Sequence, residues 1–501
     1  MSTASEPRAD SSPYLDAPLL RREAGAAIDL LARYWGSLEN RAVAPSVLPG
    51  SVFRALPEQP PEEGLGETGF EEAIQTLESV IIPALTHWQS PNFFAFFPAN
   101  ISTPSVVGEL LSAGLGVQGM LWATSPACTE METRVLDWLA GMLELPHCFL
   151  STSANGGGVI QATASEATLA ALVAGRWRAW KSMGEADRPL TLYASSQAHS
   201  SFVKAAMIAG LARRPEDATH LRLIGVDDAY AIDAGALRSS VMDDVKQGRA
   251  PCCICATVGT TSSGACDDLA AVASIADECA AACGVRPWVH VDAAYLGSAC
   301  ICPEFRPLLD GVEGADSLAF NPHKWMLTNF DCDCFFTRDR ASLTGSMSVT
   351  PEYLRNPASE SGGVIDYRDW HVPLGRRFRS LKLWLVIRHY GVNGLRAYIR
   401  DHVRMAGEFE GMVLADPRFE LCAPRSASLV CFALRGADDA TNKRLLDAVN
   451  ATGRASLTHT VLPRTASRPA RLVLRMAIGA ALTTERHVRA AWDLIRGLAP
   501  G

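Results

Sequence analysis

Lys324 is the first residue in this chain whose type and setting point to chemistry. It lies in Asn321-Pro322-His323-Lys324-Trp325, between the apolar stretches 318–320 and 325–327. A lysine in such surroundings must be neutralised, paired or used. Desolvation lowers the pKa of an ammonium group, and the neutral amine is the form that condenses with an aldehyde. The segment therefore predicts a lysine able to form a Schiff base.

Asp292 is the second such residue. It follows the strand-like run 288–291, at the point where that strand should end. A carboxylate there can hold a pyridinium nitrogen protonated, so Asp292 and Lys324 together match the needs of pyridoxal phosphate (PLP). Each residue alone has another reading, since a buried lysine often pairs with a carboxylate and a strand-end aspartate often caps the next turn.

The elements that must position these two residues alternate between strands and helices. Strands are expected at 190–194, 221–224, 253–258 and 288–291, with helices at 237–246 and 269–283. Such alternation predicts crossover connections and a largely parallel sheet, whose ligands bind at the carboxyl ends of the strands. His199, the run 259–261, Asp292 and the lysine segment all fall at such ends.

A phosphate site is expected where a helix begins at Ala164 and Ser165. Free N–H groups at a helix N-terminus and a serine hydroxyl are suited to an anion. The glycines at 156–158 just before it would let the backbone approach a ligand closely. The chain lacks the glycine-rich motif of nucleoside triphosphate-binding loops in this stretch, which disfavours a nucleoside triphosphate.

HVDAAY at 290–295 followed by NPHKW at 321–325 resembles the PLP-dependent group II decarboxylases, in particular those of aromatic L-amino acids. That group also contains histidine and glutamate decarboxylases, and the resemblance extends from about residue 30 to about residue 498. It implies an α/β, PLP-dependent transferase fold of type I, like that of aspartate aminotransferase. In that fold a large domain with a mostly parallel seven-stranded sheet carries an N-terminal helical arm and a small α+β C-terminal domain.

The resemblance also implies roles for individual residues. His199 would stack on the pyridine ring, and Tyr353, on a mobile loop, would protonate the carbanion left after carbon dioxide departs. Tyrosine at this position goes with amine-forming relatives, whereas phenylalanine goes with aldehyde-forming ones. The cofactor-binding residues expected from the motifs and the strand ends are Ala164, Ser165, His199, Thr261, Asp292, Ala294, Asn321, His323 and Lys324.

The aromatic stretch 90–100 is expected to form a wall of the substrate pocket, because an aromatic substrate needs apolar faces and edges to contact. In the family, the positions matching Phe96, Phe97, Pro98 and Ala99 line this pocket, and the stretch 118–122 comes from the neighbouring subunit of a homodimer. Gly375 leaves room for a bicyclic ring and favours an indole or a broad specificity. The pocket residues predicted on this basis are Phe96, Phe97, Pro98, Ala99, Met120, Trp122 and Gly375.

Composition limits the class of protein. The chain has 501 residues, of which 48% are hydrophobic, which allows two or three domains. Its net charge of -8 argues against nucleic acid as a partner. Residues 1–16 are polar and lack the apolar core of a signal peptide, so a cytoplasmic protein is expected. No membrane span is expected, and the cysteines do not have zinc-site spacing, so no metal is predicted.

Three segments are predicted from these patterns: an N-terminal arm at 1–102 that interlocks a dimer, a large cofactor domain at 103–381, and a small C-terminal domain at 382–501. Within them we expect an extended stretch at 41–66, a helix at 69–88, a loop at 342–363 and a helix ending near Tyr390.

Other functions remain open at this point. An aminotransferase would share the lysine and the aspartate but would need an arginine for the retained carboxylate. A glutamate decarboxylase would need cationic groups, against which the aromatic wall argues. An aldehyde synthase and a non-catalytic scaffold are the further alternatives, and tryptophan, dopa, tyrosine and phenylalanine all remain as substrates.

Overall fold

The computed structural model describes residues 14–64 and 66–500. The expectation for the polar start of the chain therefore falls mostly on residues outside the described range. The strands found within it are β1 Gly157–Gln161, β2 Leu190–Ser195, β3 Leu221–Ile224, β4 Ala250–Thr257, β5 Trp288–Asp292, β6 Ser317–Phe320, β7 Asp333–Thr337, β8 Phe419–Leu421, β9 Leu429–Leu434, β10 Thr458–Leu462 and β11 Arg471–Ala477.

The described helices surround two sheets built from these strands. They are α1 Ala17–Ser37, α2 Ser51–Ala55, α3 Gly66–Thr76, α4 Thr103–Leu115, α5 Pro126–Met142, α6 Ala164–Met183, α7 Ser201–Ile208, α8 Ala234–Lys246, α9 Leu269–Cys283, α10 Pro322–Trp325, α11 Arg340–Met347, α12 Pro357–Glu360, α13 Arg379–Ala415, α14 Asp439–Ala451 and α15 Glu485–Leu498. No helix in the described part of the chain is both long and apolar enough to cross a membrane.

The seven-stranded sheet has the order β1-β7-β6-β5-β4-β2-β3. The strands from β6 to β3 run parallel, while β7 is antiparallel to both β1 and β6. All eight residues of β4 are buried, as is typical of a parallel strand covered on both faces. The predicted α/β fold with a mostly parallel seven-stranded sheet is confirmed.

Helices cover both faces of this sheet. On one face, which we call the α6 face, Val159, Ala319 and Phe335 pack against the alanine-rich helix α6. On the other face, Ile160 and Phe336 belong to a core shared with α5, α8 and α9. Successive side chains of a strand point to opposite faces of the sheet, so neighbouring residues such as Val159 and Ile160 belong to different cores.

The C-terminal sheet is antiparallel, with the order β10-β11-β9-β8. Its core includes Phe432 and Trp492 and is separate from the two cores of the large sheet. Helix α13 runs into this region: its first part ends at Gly391, which has a positive φ of 64°, and the helix then continues to Ala415. The expected helix end near Tyr390 is therefore a kink, and the predicted domain boundary at 381/382 lies inside α13.

Three local predictions were wrong. The stretch 41–66, expected to be extended, contains α2, and the helix expected at 69–88 leaves the α-helical form after Thr76 and continues as a π-helix and a short 3₁₀ turn. Pro83, which has no N–H to donate, lies in that last turn. The loop expected at 342–363 contains the end of α11 and the short helix α12, each begun by a side-chain cap, from Asp339 and Asn356 respectively.

Candidate active site

Lys324 lies on the short helix α10, directly after β6. Asn321 ends the strand, Pro322 opens the helix, and the Lys324 N–H donates to the carbonyl of Asn321 at 3.0 Å. Proline suits the first helical position because its missing N–H would have no partner there. Burial lowers the pKa of the Lys324 amine, against the opposing effects of Asp292 and Asp333. The amine is thus closer to its nucleophilic form than an exposed lysine would be.

Asp292 is buried at the last position of β5. It pairs with Ala319 of β6, so the carboxylate and the lysine helix leave the sheet at the same edge. Its Oδ1 accepts a hydrogen bond from the N–H of Ala294 at 3.0 Å. This bond holds the carboxylate in place, and Oδ2 receives no hydrogen bond within the described residues.

His199 lies after β2, where its side chain is only partly shielded from solvent. Its Nδ1 accepts a hydrogen bond from the N–H of Ser201 at 3.2 Å and lies 2.8 Å from the Ser201 hydroxyl. Since a backbone N–H can only donate, Nδ1 is the acceptor and the ring proton belongs on Nε2. Burial lowers the pKa of the imidazole, while Asp292 raises it and Lys324 lowers it. The three residues are therefore close enough to influence one another electrostatically.

Ala164 and Ser165 form the first turn of α6, as predicted. The glycines before them have a different role from the one expected. Gly157 and Gly158 belong to β1, where a Cβ would come within 2.9 Å of the Trp370 ring and 3.0 Å of the Phe336 ring, respectively. These glycines make room for packed aromatic side chains, so the expectation that they admit a ligand was wrong for these two.

Of the remaining predicted cofactor residues, Asn321, Ala294 and His323 lie in or beside the lysine helix, and Thr261 lies after β4. The backbone N–H of Asn321 donates to the carbonyl of Ala294 at 3.2 Å, and Asn321 Oδ1 is buried with no partner among the described residues. His323 Nδ1 accepts from the N–H of Cys332 at 2.9 Å, and burial lowers the pKa of His323 to about 3. Thr261 is exposed in the turn after β4.

An aromatic stack adjoins Lys324. The Phe97 ring lies parallel to that of Tyr295 with centroids 3.6 Å apart, and Tyr295 in turn stacks on Trp325. The Lys324 Nζ is 5.9 Å from the centroid of Phe97. Pro98 packs against Gly479, whose Cβ would lie 2.7 Å from the proline ring. This part of the predicted aromatic wall therefore meets the lysine.

Phe96 and Ala99 flank that stack without joining it. Phe96 is half-exposed and stacks on Trp88 with centroids 5.6 Å apart. The carbonyl of Ala99 accepts a hydrogen bond from the side chain of Gln89.

Four predicted residues make no hydrogen bond or ring contact with Lys324 within the described single chain. The Met120 carbonyl accepts from the N–H of Arg368 at 3.0 Å, and the Trp122 indole donates to Glu130 at 2.9 Å. These residues and Gly375 belong to a separate region, where a Cβ on Gly375 would be 3.3 Å from Gln118 Oε1. Tyr353 is 77% exposed on a short 3₁₀ helix.

Two buried residues near the lysine were missed. Asp333 is fully buried, neither of its oxygens has a partner among the described residues, and Lys324 and Asp292 both act on its charge. Arg475 is buried with its guanidinium carbon 5.3 Å from the Phe97 centroid, and its Nη2 has no partner in residues 14–64 and 66–500. Each is a charged residue inside an apolar strand-like run, which is the sequence signal that could have revealed them.

The residues present fit PLP. A half-buried lysine with a lowered pKa and a carboxylate with an unused oxygen leave the same edge of the sheet. Asn321 Oδ1 and both oxygens of Asp333 are buried there and have no partner within the described chain, which is unusual for polar groups inside a folded protein. Such unsatisfied groups beside a reactive lysine are typical of a ligand site.

Comparisons with known proteins agree. The model of the pyridoxal-dependent decarboxylase conserved domain matches residues 49–435. Phenylacetaldehyde synthase from Arabidopsis thaliana is 46% identical over 491 residues, covering 96% of each chain. Tryptophan decarboxylase 2 from Oryza sativa subsp. japonica is 47% identical over 491 residues, covering 96% of this chain and 95% of that protein.

Solved structures give the same result. The structure of Oryza sativa TDC with PLP and tryptamine superposes with a TM-score of 0.91 at 43% identity, covering 97% of this chain and 99% of that one. Rhodiola rosea 4-hydroxyphenylacetaldehyde synthase superposes with a TM-score of 0.87 at 38% identity, covering 97% and 98%. The chain therefore belongs to the pyridoxal-dependent decarboxylase family and is a carboxy-lyase that uses PLP.

Proposed function

We propose that this enzyme decarboxylates an aromatic L-amino acid to the corresponding arylalkylamine and carbon dioxide. The observation that carries the proposal is the stack of Phe97 on Tyr295 beside Lys324, which offers an apolar, aromatic surface next to the reactive amine. The names of the relatives support it, since they include tryptophan, tyrosine and aromatic-L-amino-acid decarboxylases.

The residues of this chain divide the work of binding and orientation. Lys324 attaches the cofactor, Asp292 holds its ring nitrogen protonated, and His199 covers one face of its ring. When bound, PLP accepts the electron pair released as the carboxylate leaves. The Asp292–Ala294 hydrogen bond keeps the carboxylate oriented, and a charge-assisted bond from Asp292 fixes the ring.

The phosphate of the cofactor is assigned to the start of α6 and the residues around it. Ala164 and Ser165 offer N–H groups and a hydroxyl at a helix N-terminus, which attracts an anion. Asn321 offers a side-chain amide from the end of β6. Ala294, His323 and Thr261 are the other predicted cofactor-binding residues. His323 stays uncharged at neutral pH because its pKa is near 3, so it contributes shape and hydrogen bonding without a positive charge.

We assign a second copy of the chain to complete the pocket. Within the described residues of one chain, Met120 and Trp122 bond to Arg368 and Glu130 and not to Lys324, as expected if they and Gly375 face the site of a neighbouring subunit. The N-terminal arm also exposes large apolar side chains, namely Leu20, Ile28, Leu48 and Phe53, which a partner would cover.

Shared sites can be tested by complementation. Lys324→Ala and Trp122→Ala protomers are co-expressed and purified as mixed species, alongside each variant alone. If pockets are shared, mixed dimers contain one site with both native residues and recover up to about half of the wild-type activity per dimer. This recovery of activity can be detected only if the Trp122→Ala protein alone has strongly reduced activity. An active monomer by sedimentation would contradict the shared site.

Tyr353 supports the amine as product, in the role of proton donor on a loop that must move toward the site. Aldehyde formation is the second candidate, favoured by the similarity to two aldehyde synthases. The deciding experiment incubates the loaded enzyme with tryptophan, dopa, tyrosine and phenylalanine and measures carbon dioxide, amine, aldehyde and ammonia. Equal amounts of carbon dioxide and amine support the proposal. Aldehyde and ammonia as the main products, with dioxygen consumed as the two-electron oxidant and reduced to hydrogen peroxide, would replace it. Amino-group transfer without carbon dioxide release would contradict both.

A further inference from the structure

Asp333 is a buried carboxyl group that the proposed reaction does not use. It is the first residue of β7 and is 0% exposed, and neither of its oxygens has a hydrogen-bond partner in the part of the chain that the structure describes. It pairs with Gln161 of β1. On its other side, β7 is antiparallel to β6 and Cys334 pairs with Phe320, so Asp333 lies opposite Asn321, the residue after Phe320. We call Gln161, Asp333 and Asn321 the amide–carboxyl row.

The amide–carboxyl row faces α6. Phe335, two residues after Asp333, packs on the α6 face with Val159 and Ala319. Side chains two residues apart on a strand share a face, and paired residues on neighbouring strands share it too. The row therefore extends this face to the edge of the sheet, at the end where α6 begins and where Lys324 follows β6.

The row contains more acceptors than donors. Gln161 Oε1 and Asn321 Oδ1 are buried and, like the two oxygens of Asp333, find no partner among the residues described. Gln161 Nε2 already donates to the carbonyl of Trp370 at 3.0 Å, which anchors that amide. The Asn321 side chain makes no hydrogen bond within the described part of the chain. A proton on Asp333 would turn one acceptor into a donor and give Asn321 Oδ1 a partner.

The surroundings favour that proton. Burial raises the pKa of Asp333 well above its usual range, and the negative charges of Asp292 and Glu166 act in the same direction, against Lys324. A bound phosphate near the start of α6 would add further negative charge. An ionised carboxylate without hydrogen bonds is costly to bury, whereas a neutral acid that donates its proton is not.

We propose that Asp333 is held as an un-ionised acid whose O–H donates to Asn321 Oδ1, so that Asn321 Nδ2 stays turned toward the cofactor phosphate. Asp333 is then a positioning residue that acts through Asn321. The cofactor half of this inference rests on the proposed phosphate site, while the protonation of Asp333 does not.

Infrared difference spectroscopy tests the protonation directly. Loaded wild-type enzyme and Asp333→Asn are compared at neutral pH. The expected result is the carbonyl stretch of an un-ionised carboxyl in the wild type that is absent from the variant. Loss of ionised-carboxylate bands only would overturn the proposal. Asp316→Asn is the matched control, because Asp316 is also buried but is paired with Arg178 and Arg286 and should contribute only ionised bands.

Cofactor affinity tests the positioning role. Cofactor-free protein is titrated with PLP, and the dissociation constant is obtained from the near-visible absorbance. Asp333→Asn keeps a donor and should bind within about threefold of the wild type, whereas Asp333→Leu loses it and should bind about tenfold more weakly. Asn321→Ala should weaken binding as well, with no further loss in the double variant with Asp333→Leu.

The outcomes separate the two hypotheses. Unchanged affinity in Asp333→Leu, or additive losses in the double variant, would contradict the positioning role. If Asn321→Ala leaves affinity unchanged, the proposed phosphate site is wrong, and the infrared result still decides the state of Asp333. Should Asp333→Leu fail to fold, Asp333→Asn supplies both the spectrum and the affinity, and a large loss of affinity in that variant would overturn the inference.

Discussion

Two buried polar clusters of this enzyme differ in how their groups are satisfied. Arg376 and Glu132 are both buried and bond directly at 2.5 Å. Glu132 also accepts from the N–H of Ile160 at 2.8 Å, and Arg376 donates to the carbonyl of Tyr367 at 3.4 Å. Asp333, in the amide–carboxyl row, is equally buried and has no such partner.

The presence or absence of partners distinguishes buried polar groups that hold the fold together from those that serve the active site. A buried ion pair whose groups are matched within the protein links elements of the fold, here α5, β1 and the segment before α13. Buried polar groups left unmatched beside Lys324 cost stability and are retained where a ligand uses or orients them. Arg376, Arg377 and Arg379 form ion pairs with Glu132, Glu109 and Asp331, respectively.

The largest effect is expected for Asp292→Asn. Without a negative charge to keep the ring nitrogen protonated, turnover should fall by about a thousandfold or more, on the order of 4 kcal/mol in the activation free energy. Steady-state kinetics on the loaded variant measure this loss. Asp268→Asn is the control, because Asp268 caps α9 and asparagine caps a helix equally well. Near-normal turnover in Asp292→Asn would contradict a catalytic role for the polar groups beside Lys324, and with it the functional difference between the two clusters.

The next effect is on stability. Glu132→Ala leaves the Arg376 charge buried without a counterion and should lower the free energy of unfolding by about 3–5 kcal/mol. Urea unfolding of the cofactor-free protein measures it. Glu278→Ala is the matched control, since the Arg238–Glu278 pair is exposed and its loss should cost less than about 1 kcal/mol. Equal effects of the two substitutions would mean that the buried pair does not stabilise the fold.

A smaller, pH-dependent effect is expected for Asp333→Asn. The folded protein holds a proton on Asp333 that the unfolded chain releases above the ordinary pKa of 3.8, so wild-type stability falls as pH rises from that value toward the raised pKa. The variant lacks this dependence and should gain stability relative to the wild type by up to about 1.4 kcal/mol per pH unit in that window. Unfolding of both cofactor-free proteins at about pH 5 and about pH 7 measures it. A constant difference between the two pH values would indicate that Asp333 is ionised.

Much of the fold and part of the site could be predicted from the sequence. Asp292, His199 and Lys324 all follow recognisable strands, and parallel strands bring their carboxyl ends to one edge. Strand β1 was missed because glycines carry little strand signal, although Gly157 and Gly158 are needed there to admit aromatic rings. The pairing that places Asp333 between two amides depends on contacts between distant segments, which local patterns do not encode.

The contributions of the loop and the partner subunit could be predicted only from the resemblance. Tyr353 is exposed, and Met120 and Trp122 do not contact Lys324 within the described chain. Nothing in their local patterns indicates which surface they approach, because that depends on loop movement and on a second chain. Their roles therefore stay predictions.

The most direct test of the account is to identify the residue that holds the cofactor. The loaded enzyme is reduced with borohydride, digested, and its peptides are analysed by mass spectrometry. A pyridoxyl phosphate group is expected on the peptide that contains Lys324, and it should be completely absent in Lys324→Ala. Modification of another lysine in the wild type, such as the buried Lys382, with Lys324 unmodified, would contradict it.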